Sequence, residues 1–233
     1  KFMKRLMSFY RPFKYRFSSI KKTRPNQKCV KVGNALFKTL LQSKEGIKYL
    51  NENKLLSQIA ECLAQLDPMS GISSPDPLFS KQRLENTLSS GYFSLLGTLS
   101  ADANGMAMME NRNMFNMFYH LSELRSREDL ICNFLRSMDF ELQGHPRIIL
   151  AKALTTGQKN VRLFATAHLK TLCNAKEATQ KWAIKLLVTQ LYDPEVEVCK
   201  LAVEVLEEYC KETKNLEYFV HLQPSFITTI LVP

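Results

Sequence analysis

A phrase written twice near the C-terminal end constrains this chain more than any other feature. Val161, Ala165 and Leu169 recur at an offset of 37 as Val198, Ala202 and Leu206, followed by Leu172 and Tyr209 respectively. Spacings of four put each trio on one face of a helix. A small alanine at the centre of such a face lets a second helix approach, and the Val and Leu one turn away fill the flanking grooves. Asp193-Pro194 stands between the two copies. Proline suits a helix start, where its missing N–H would be unpaired anyway, and aspartate can cap the exposed amides. The dipeptide therefore predicts a tight turn between two packed helices.

A longer repeat lies upstream. The text from Glu45-Gly46-Ile47 to Ile59 aligns with that from Asn104-Gly105-Met106 to Phe118 at an offset of 59. Ile47 matches Met106, Tyr49 matches Met108, Leu50 matches Met109, Leu55 matches Met114, Leu56 matches Phe115 and Ile59 matches Phe118. A short helix led by Gly and then a longer apolar helix is the form of an armadillo unit. The Asp-Pro turn with Val, Ala and Leu at helical spacing is how a HEAT repeat reads. The expected fold is all-α, an armadillo/HEAT-like α-solenoid of stacked helical hairpins. An irregular helical bundle with coincidental spacings is the alternative.

Four regions follow from this reading. Residues 1–27 form a basic N-terminal helix and linker. Residues 28–143 carry armadillo-like repeats with a Pro/Ser loop at 67–82, residues 144–224 carry HEAT-like repeats, and 225–233 are a tail. Helices are expected over Phe2 to Tyr10, Val30 to Leu41, Tyr49 to Leu66, Leu84 to Leu99, Met106 to Leu124 and Arg127 to Met138. After a break at Gly144-His145-Pro146 they resume over Ile148 to Leu154, Asn160 to Leu172, Thr179 to Leu191 and Glu195 to Cys210.

Composition permits a core, with 45% apolar and 23% charged residues. Apolar runs such as Ile184 to Val188 fall far short of the roughly 20 residues needed to cross a bilayer. No apolar segment with a small-residue cleavage site marks a signal peptide, and a first residue Lys1 reads as a piece of a longer protein. Six cysteines without a C-x-x-C pair and four dispersed histidines lack zinc-site spacing, and most of the cysteines read as reduced, buried thiols.

Catalytic signatures are equally hard to find. The glycines are isolated, and no G-x-S-x-G, His-Glu-x-x-His or kinase set occurs. His168 and Cys173 fall on different helical faces, so the histidine reads as packed or surface rather than half of a dyad. Glu128-Asp129 and Glu207-Glu208 read as solvated faces. Trp182 is expected as a core anchor, and Met106, Met108, Met109, Met114 and Met117 as a core face. No catalytic residue, metal ligand or cofactor site is assigned.

Charge is the remaining signal. Residues 1–44 hold thirteen Lys and Arg and no acid, whereas 45–233 hold 19 bases against 22 acids. Phe2, Met3, Leu6, Met7, Phe9 and Tyr10 share one broad helical face. After Pro12 the run Phe13-Lys14-Tyr15-Arg16-Phe17 alternates aromatic and basic. Arg5, Arg11, Lys14, Arg16, Lys21 and Lys22 are the candidate contacts with an acidic partner protein, an anionic membrane or, ranked last, nucleic acid. The competing reading has Phe9, Tyr10, Phe13 and Phe17 capping the helical stack while the bases face water.

Particular stretches also carry a family resemblance. Lys4-Arg5-Leu6-Met7-Ser8-Phe9-Tyr10-Arg11-Pro12, the run from His145 to Leu172, and above all Trp182 to Glu208 with its "LLVTQL" before Asp-Pro resemble the middle region of the rictor family. Met69 to Ser80 and Tyr92 to Ser100 are similar too, and the Asn- and Met-rich middle is closest in style to fungal members. The resemblance implies a non-catalytic scaffold of TOR complex 2. Such a scaffold holds TOR kinase with a Sin1/Avo1-type substrate-recruiting subunit, beside an Lst8-type β-propeller, in a dimeric complex.

It further implies service to AGC-kinase phosphorylation, actin organisation and lipid homeostasis, in the cytoplasm and at the plasma membrane. The family's nucleotide site lies in its N-terminal armadillo region, and the part credited with rapamycin insensitivity in its C-terminal region, so no ligand residue carries over. From Phe226 to Pro233 the text departs from the family, as if the tail came from a discontinuous segment. A second such junction would fit between Arg16 and Lys28. The alternative function is a helical-repeat adaptor that binds membrane or nucleic acid through the basic head.

Overall fold

A computed structural model describes residues 2–222. Among them are fourteen α-helices and two short 3-10 turns. The chain divides into two compact units, one ending at Ile149 and one beginning at Leu150. The first unit holds α1 (Phe2–Tyr10), α2 (Gln27–Leu41), α3 (Lys44–Glu52), α4 (Lys54–Ala64), α5 (Lys81–Asn86), α6 (Gly91–Ser100), α7 (Ala103–Glu110), α8 (Met114–Leu121) and α9 (Glu128–Ser137). The division falls within α10 (His145–Thr156), and the second unit continues with α11 (Lys159–Leu172), α12 (Glu177–Gln190), α13 (Val196–Tyr209) and α14 (Thr213–His221).

The offset of 59 is a structural repeat of three helices, α2–α3–α4 and α6–α7–α8. Equivalence extends to the caps. Ser43 accepts from the Gly46 amide at 3.0 Å, and Asp102, its counterpart, accepts from the Gly105 amide at 3.2 Å. A Cβ on Gly46 would strike the Leu40 carbonyl oxygen, and one on Gly105 the carbonyl of the equivalent Leu99. Glycine is the residue that lets the second helix turn this closely against the first. First helices stack on first (α2 on α6, then α6 on α9), and third on third (α4 on α8). Arg112 joins the copies, donating to the Asn51 side chain at 3.0 Å and carbonyl at 2.6 Å. Leu50, Leu55, Leu56, Ile59, Met109, Met114, Phe115 and Phe118 are all buried, and full burial of an aliphatic side chain stabilises by about 2 kcal/mol.

In the second unit α11, α12 and α13 pack mutually. Both Val-Ala-Leu trios are buried, with Ala165 and Ala202 fully so. Asp193 Oδ1 accepts from the Glu195 amide at 2.8 Å, which closes the turn. Helix α13 begins only at Val196 with Glu195 at its N-cap, so Asp193 does not cap the helix amides as expected and Pro194 stands ahead of the helix. These are all-α helical repeats of the armadillo/HEAT-like solenoid class, as the sequence predicts.

The structure divides three of the expected helices. Asn53 adopts an extended conformation and caps α4 through Leu55, Thr87 ends α5 and caps the 3-10 turn Leu88–Ser90, and Asn113 takes a left-handed conformation at φ 59°. Gly144, at φ 136°, starts α10 with Pro146 in its first turn, so the apparent break is a helix beginning. Helix α14 extends beyond the last expected helix, and Asn215 is its one buried residue. The Met core face is observed, with Met106 half-buried at its edge, whereas Trp182 is half-buried rather than a core anchor. The tail expectation for 225–233 lies outside the described residues.

Candidate interaction surface

The basic head is mounted on an aromatic frame. Phe9, Tyr10 and Phe17 pack edge-on or tilted at centroid distances of 5.0 to 6.0 Å. Phe17 meets Tyr92 at 5.1 Å, and the chain of rings runs on through Phe79, Phe93 and Phe118 to Phe134. Such contacts add about 0.5–1.5 kcal/mol each beyond area burial. The frame is also hydrogen-bonded, Tyr10 donating to the Cys29 carbonyl and Tyr92 to the Tyr10 carbonyl, both at 2.8 Å. Burial, helped by the Cys29 thiol, pushes the Tyr10 hydroxyl up to about 12, and burial raises Tyr92 further. Both hydroxyls stay neutral donors. Of the four residues in the capping reading, Tyr10 and Phe17 are buried and Phe9 and Phe13 half-buried, whereas Phe2 and Tyr15 are exposed.

The bases face the other way. Arg5 projects from α1 and is exposed. Arg11 is half-buried at the start of the 3-10 turn Pro12–Lys14, and Lys14 and Arg16 flank Tyr15 and are exposed. Tyr15 sits in the left-handed region at φ 53°, which reverses the chain so that Phe17 turns inward. Lys21 pairs with Thr87 in an isolated antiparallel bridge. Lys22 is tied down, its Nζ donating to the Leu84 carbonyl at 3.1 Å and its amide to Asn86 at 2.8 Å. The structure thus groups Arg11, Lys14 and Arg16 on one turn and fixes Lys21 and Lys22 to the end of α5. Arg5 remains apart on α1.

Sequence reasoning passed over a second basic group. Arg24, Pro25, Gln27, Lys28 and Lys31 line a surface hollow of about 370 Å³. Lys28 and Lys31 are one turn apart on α2, and that spacing was the available signal. Among the described residues no base before Glu45 forms an ion pair with a carboxylate. Elsewhere a number of bases are paired with acids, as in Arg127–Asp129 at 2.8 Å and Lys170–Glu208 at 2.6 Å. A run of unmatched, exposed cations on a rigid support favours an anionic partner and gives binding a steep salt dependence.

Other candidates resolve into packing. His168 stacks on Phe164 and Cys173 is buried, its thiol pushed up to about 12 by burial. All six cysteines are free, but only Cys62 and Cys173 are buried as expected and the other four are half-buried. Among the described residues no group of three or more His, Cys, Asp or Glu is placed to hold a metal ion. Among them, too, no helix is long and apolar enough to cross a membrane.

Comparison with known proteins places this architecture. A family model described as "Rapamycin-insensitive companion of mTOR, middle domain" matches residues 70–173, and one described as "Rapamycin-insensitive companion of mTOR RasGEF_N domain" matches 178–230. The chain is 53% identical over 229 residues to "Target of rapamycin complex 2 subunit ste20" of Schizosaccharomyces pombe, across 97% of this chain and 17% of that protein. It is 34% identical over 240 residues to "Protein pianissimo A" of Dictyostelium discoideum, across 97% of this chain and 21% of that protein. To "Rapamycin-insensitive companion of mTOR" of Homo sapiens it is 31% identical over 228 residues, across 97% of this chain and 13% of that protein. It spans about a fifth or less of the length of these relatives.

Proposed function

Because the chain belongs to the rictor family, we propose that it is a helical-repeat scaffold segment within a TOR complex 2 subunit and carries no catalysis of its own. Its work is shape. Stacked helices bury a continuous core and leave long faces for docking. In this reading the parent protein organises TOR kinase and a Sin1-type substrate-recruiting subunit, with the Lst8-type β-propeller alongside, for phosphorylation of AGC kinases. Actin organisation, lipid homeostasis and association with the plasma membrane follow from that complex.

The observation that carries the proposal is the match along nearly the whole chain to proteins named as subunits of this complex. The basic head supports a docking role. Arg11, Lys14 and Arg16 stand on one turn whose backbone is braced by Phe17 against Tyr92 before a partner arrives. Preorganised charges lose little entropy on binding. Reversing the three to Glu in the parent protein should weaken co-purification of the kinase or the Sin1-type subunit, with a smaller loss at high salt. Undiminished assembly at every salt concentration, with lipid binding abolished instead, would favour the membrane-adaptor reading.

A further inference from the structure

The Pro/Ser loop between α4 and α5 is anchored at both ends and open between them. At its start Ser70 Oγ donates to the Ala64 and Asp67 carbonyls at 2.5 and 2.9 Å and accepts from the Ile72 amide at 3.0 Å. Ser70 is therefore occupied. Gly71 follows in the left-handed region at φ 67°, with open space where a Cβ would sit. From there the backbone runs without secondary structure to Ser74, with Ile72 and Ser73 exposed and Ser74 half-buried. Among the described residues the hydroxyls of Ser73 and Ser74 have no hydrogen-bond partner. Pro75 then disfavours the helical region for Ser74, and the chain bends at Pro75 and Asp76. At the far end Asp76 is clamped by Arg83, Nε to Oδ1 at 3.0 Å and a second contact from Nη2 to Oδ2.

Arg83 is more than an anchor. Its guanidinium lies 5.6 Å from the centre of the Tyr15 ring, between Lys14 and Arg16 in sequence. It holds the Asp76 carboxyl below the usual carboxylate range, mainly by hydrogen bonding. Arginine has five N–H donors in a planar fork suited to carboxylate or phosphate. Ser74 lies two residues before Asp76, with a bend of the chain at Pro75 and Asp76 between them, so a phosphate on Ser74 would stand close enough along the chain to compete for that fork.

We propose that Ser74 is a phosphorylation site for a proline-directed serine/threonine kinase, and that its phosphate is received by Arg83 in competition with Asp76. Ser74-Pro75 is the acceptor pair, and Ser73, followed by Ser74, lacks the proline. In the transfer the Ser74 Oγ forms a bond to the γ-phosphorus of ATP, and the bond from that phosphorus to the β,γ-bridging oxygen breaks. ADP leaves, and the hydroxyl proton passes to the catalytic carboxylate of the kinase. The product carries about −1.5 to −2 charge, added next to Arg83, which itself lies over Tyr15 between Lys14 and Arg16. Phosphorylation would thus reduce the positive potential at Lys14 and Arg16. The inference stands independently of the proposed scaffold role.

The folded chain, incubated with a proline-directed kinase and ATP, should gain one phosphate mapped by mass spectrometry to Ser74. Ser74→Ala should abolish it and Ser73→Ala should not. A ³¹P NMR titration then tests the receiver. The second ionisation of the phosphate should lie at least about half a pH unit lower in the folded chain than in urea. Arg83→Gln should remove that shift and Asp76→Asn enlarge it, each checked by circular dichroism for retained helix. Modification at Ser73 or Ser80 instead, or only of the urea-unfolded chain, would overturn the site. A shift that survives Arg83→Gln in a folded variant would overturn the role of Arg83.

Discussion

Arg162 closes a two-pronged pair on Asp193, Nε to Oδ2 at 2.7 Å and Nη2 to Oδ1 at 3.1 Å, while its Nη1 holds the Gly157 carbonyl at 2.8 Å. One guanidinium therefore ties the turn before α11 to the turn before α13. Both partners are largely buried, with 14% and 5% of their side chains exposed. Removing one leaves the other charged and unpaired in a poorly solvated place, a loss of about 3–5 kcal/mol. Arg162→Met and Asp193→Leu should each lower stability by that order in urea denaturation, and the double variant should recover part of it.

The equivalent glycines give a second expectation. Gly46 and Gly105 each face a carbonyl of the preceding helix at less than the room a Cβ requires. Alanine at either position should destabilise by about 1–3 kcal/mol. Matching thermal-melting losses at the two sites would bear out the three-helix repeat, whereas a neutral Gly105→Ala would show that the helix junctions are not equivalent.

The aromatic frame makes a third. Phe17 is fully buried against Phe9, Tyr10 and Tyr92 although it lies in the run that reads as aromatic-basic. Phe17→Ala should cost about 3–5 kcal/mol, measured by chemical denaturation. A loss below 1 kcal/mol would mean that the head is an appendage rather than part of the core.

Alkaline pH supplies a fourth. Burial pushes the thiols of Cys62 and Cys173 and the Tyr10 hydroxyl up to about 12, from ordinary values of 9.0 for cysteine and 10.0 for tyrosine. The unfolded chain releases these protons first, so it binds fewer protons than the fold across this window. Stability is then complete below about pH 9 and falls as pH rises toward 12. Urea midpoints at pH 8, 9.5 and 11 should decline in that order, and Cys62→Ala should flatten the decline.

The repeats were legible because they are written in spacing. Ala165 with Ala202 and Gly46 with Gly105 sit at fixed offsets, and packing demands the same residue type at each copy. Helix divisions were harder to read. Asn53, Thr87 and Asn113 interrupt apolar periodicity without a proline, and their side-chain caps or left-handed backbone become visible only in three dimensions. Helix α14 was missed because its polar text buries only Asn215, although Leu216, Phe219 and Val220 hold helical spacing. In the head, the bases were legible from charge alone. Which aromatics turn inward depended on the left-handed Tyr15, a conformation that sequence marks only for glycine or asparagine.

Crosslinking mass spectrometry on the assembled parent complex tests the central claim most directly. If this segment is a docking scaffold of TOR complex 2, Lys14, Lys21, Lys28 and Lys31 should crosslink to acidic stretches of the kinase or the Sin1-type subunit. The links from Lys21, Lys28 and Lys31 should disappear when Arg11, Lys14 and Arg16 are reversed to Glu. Crosslinks from these lysines confined to the parent chain itself, in a complex that assembles normally after the reversal, would contradict the account.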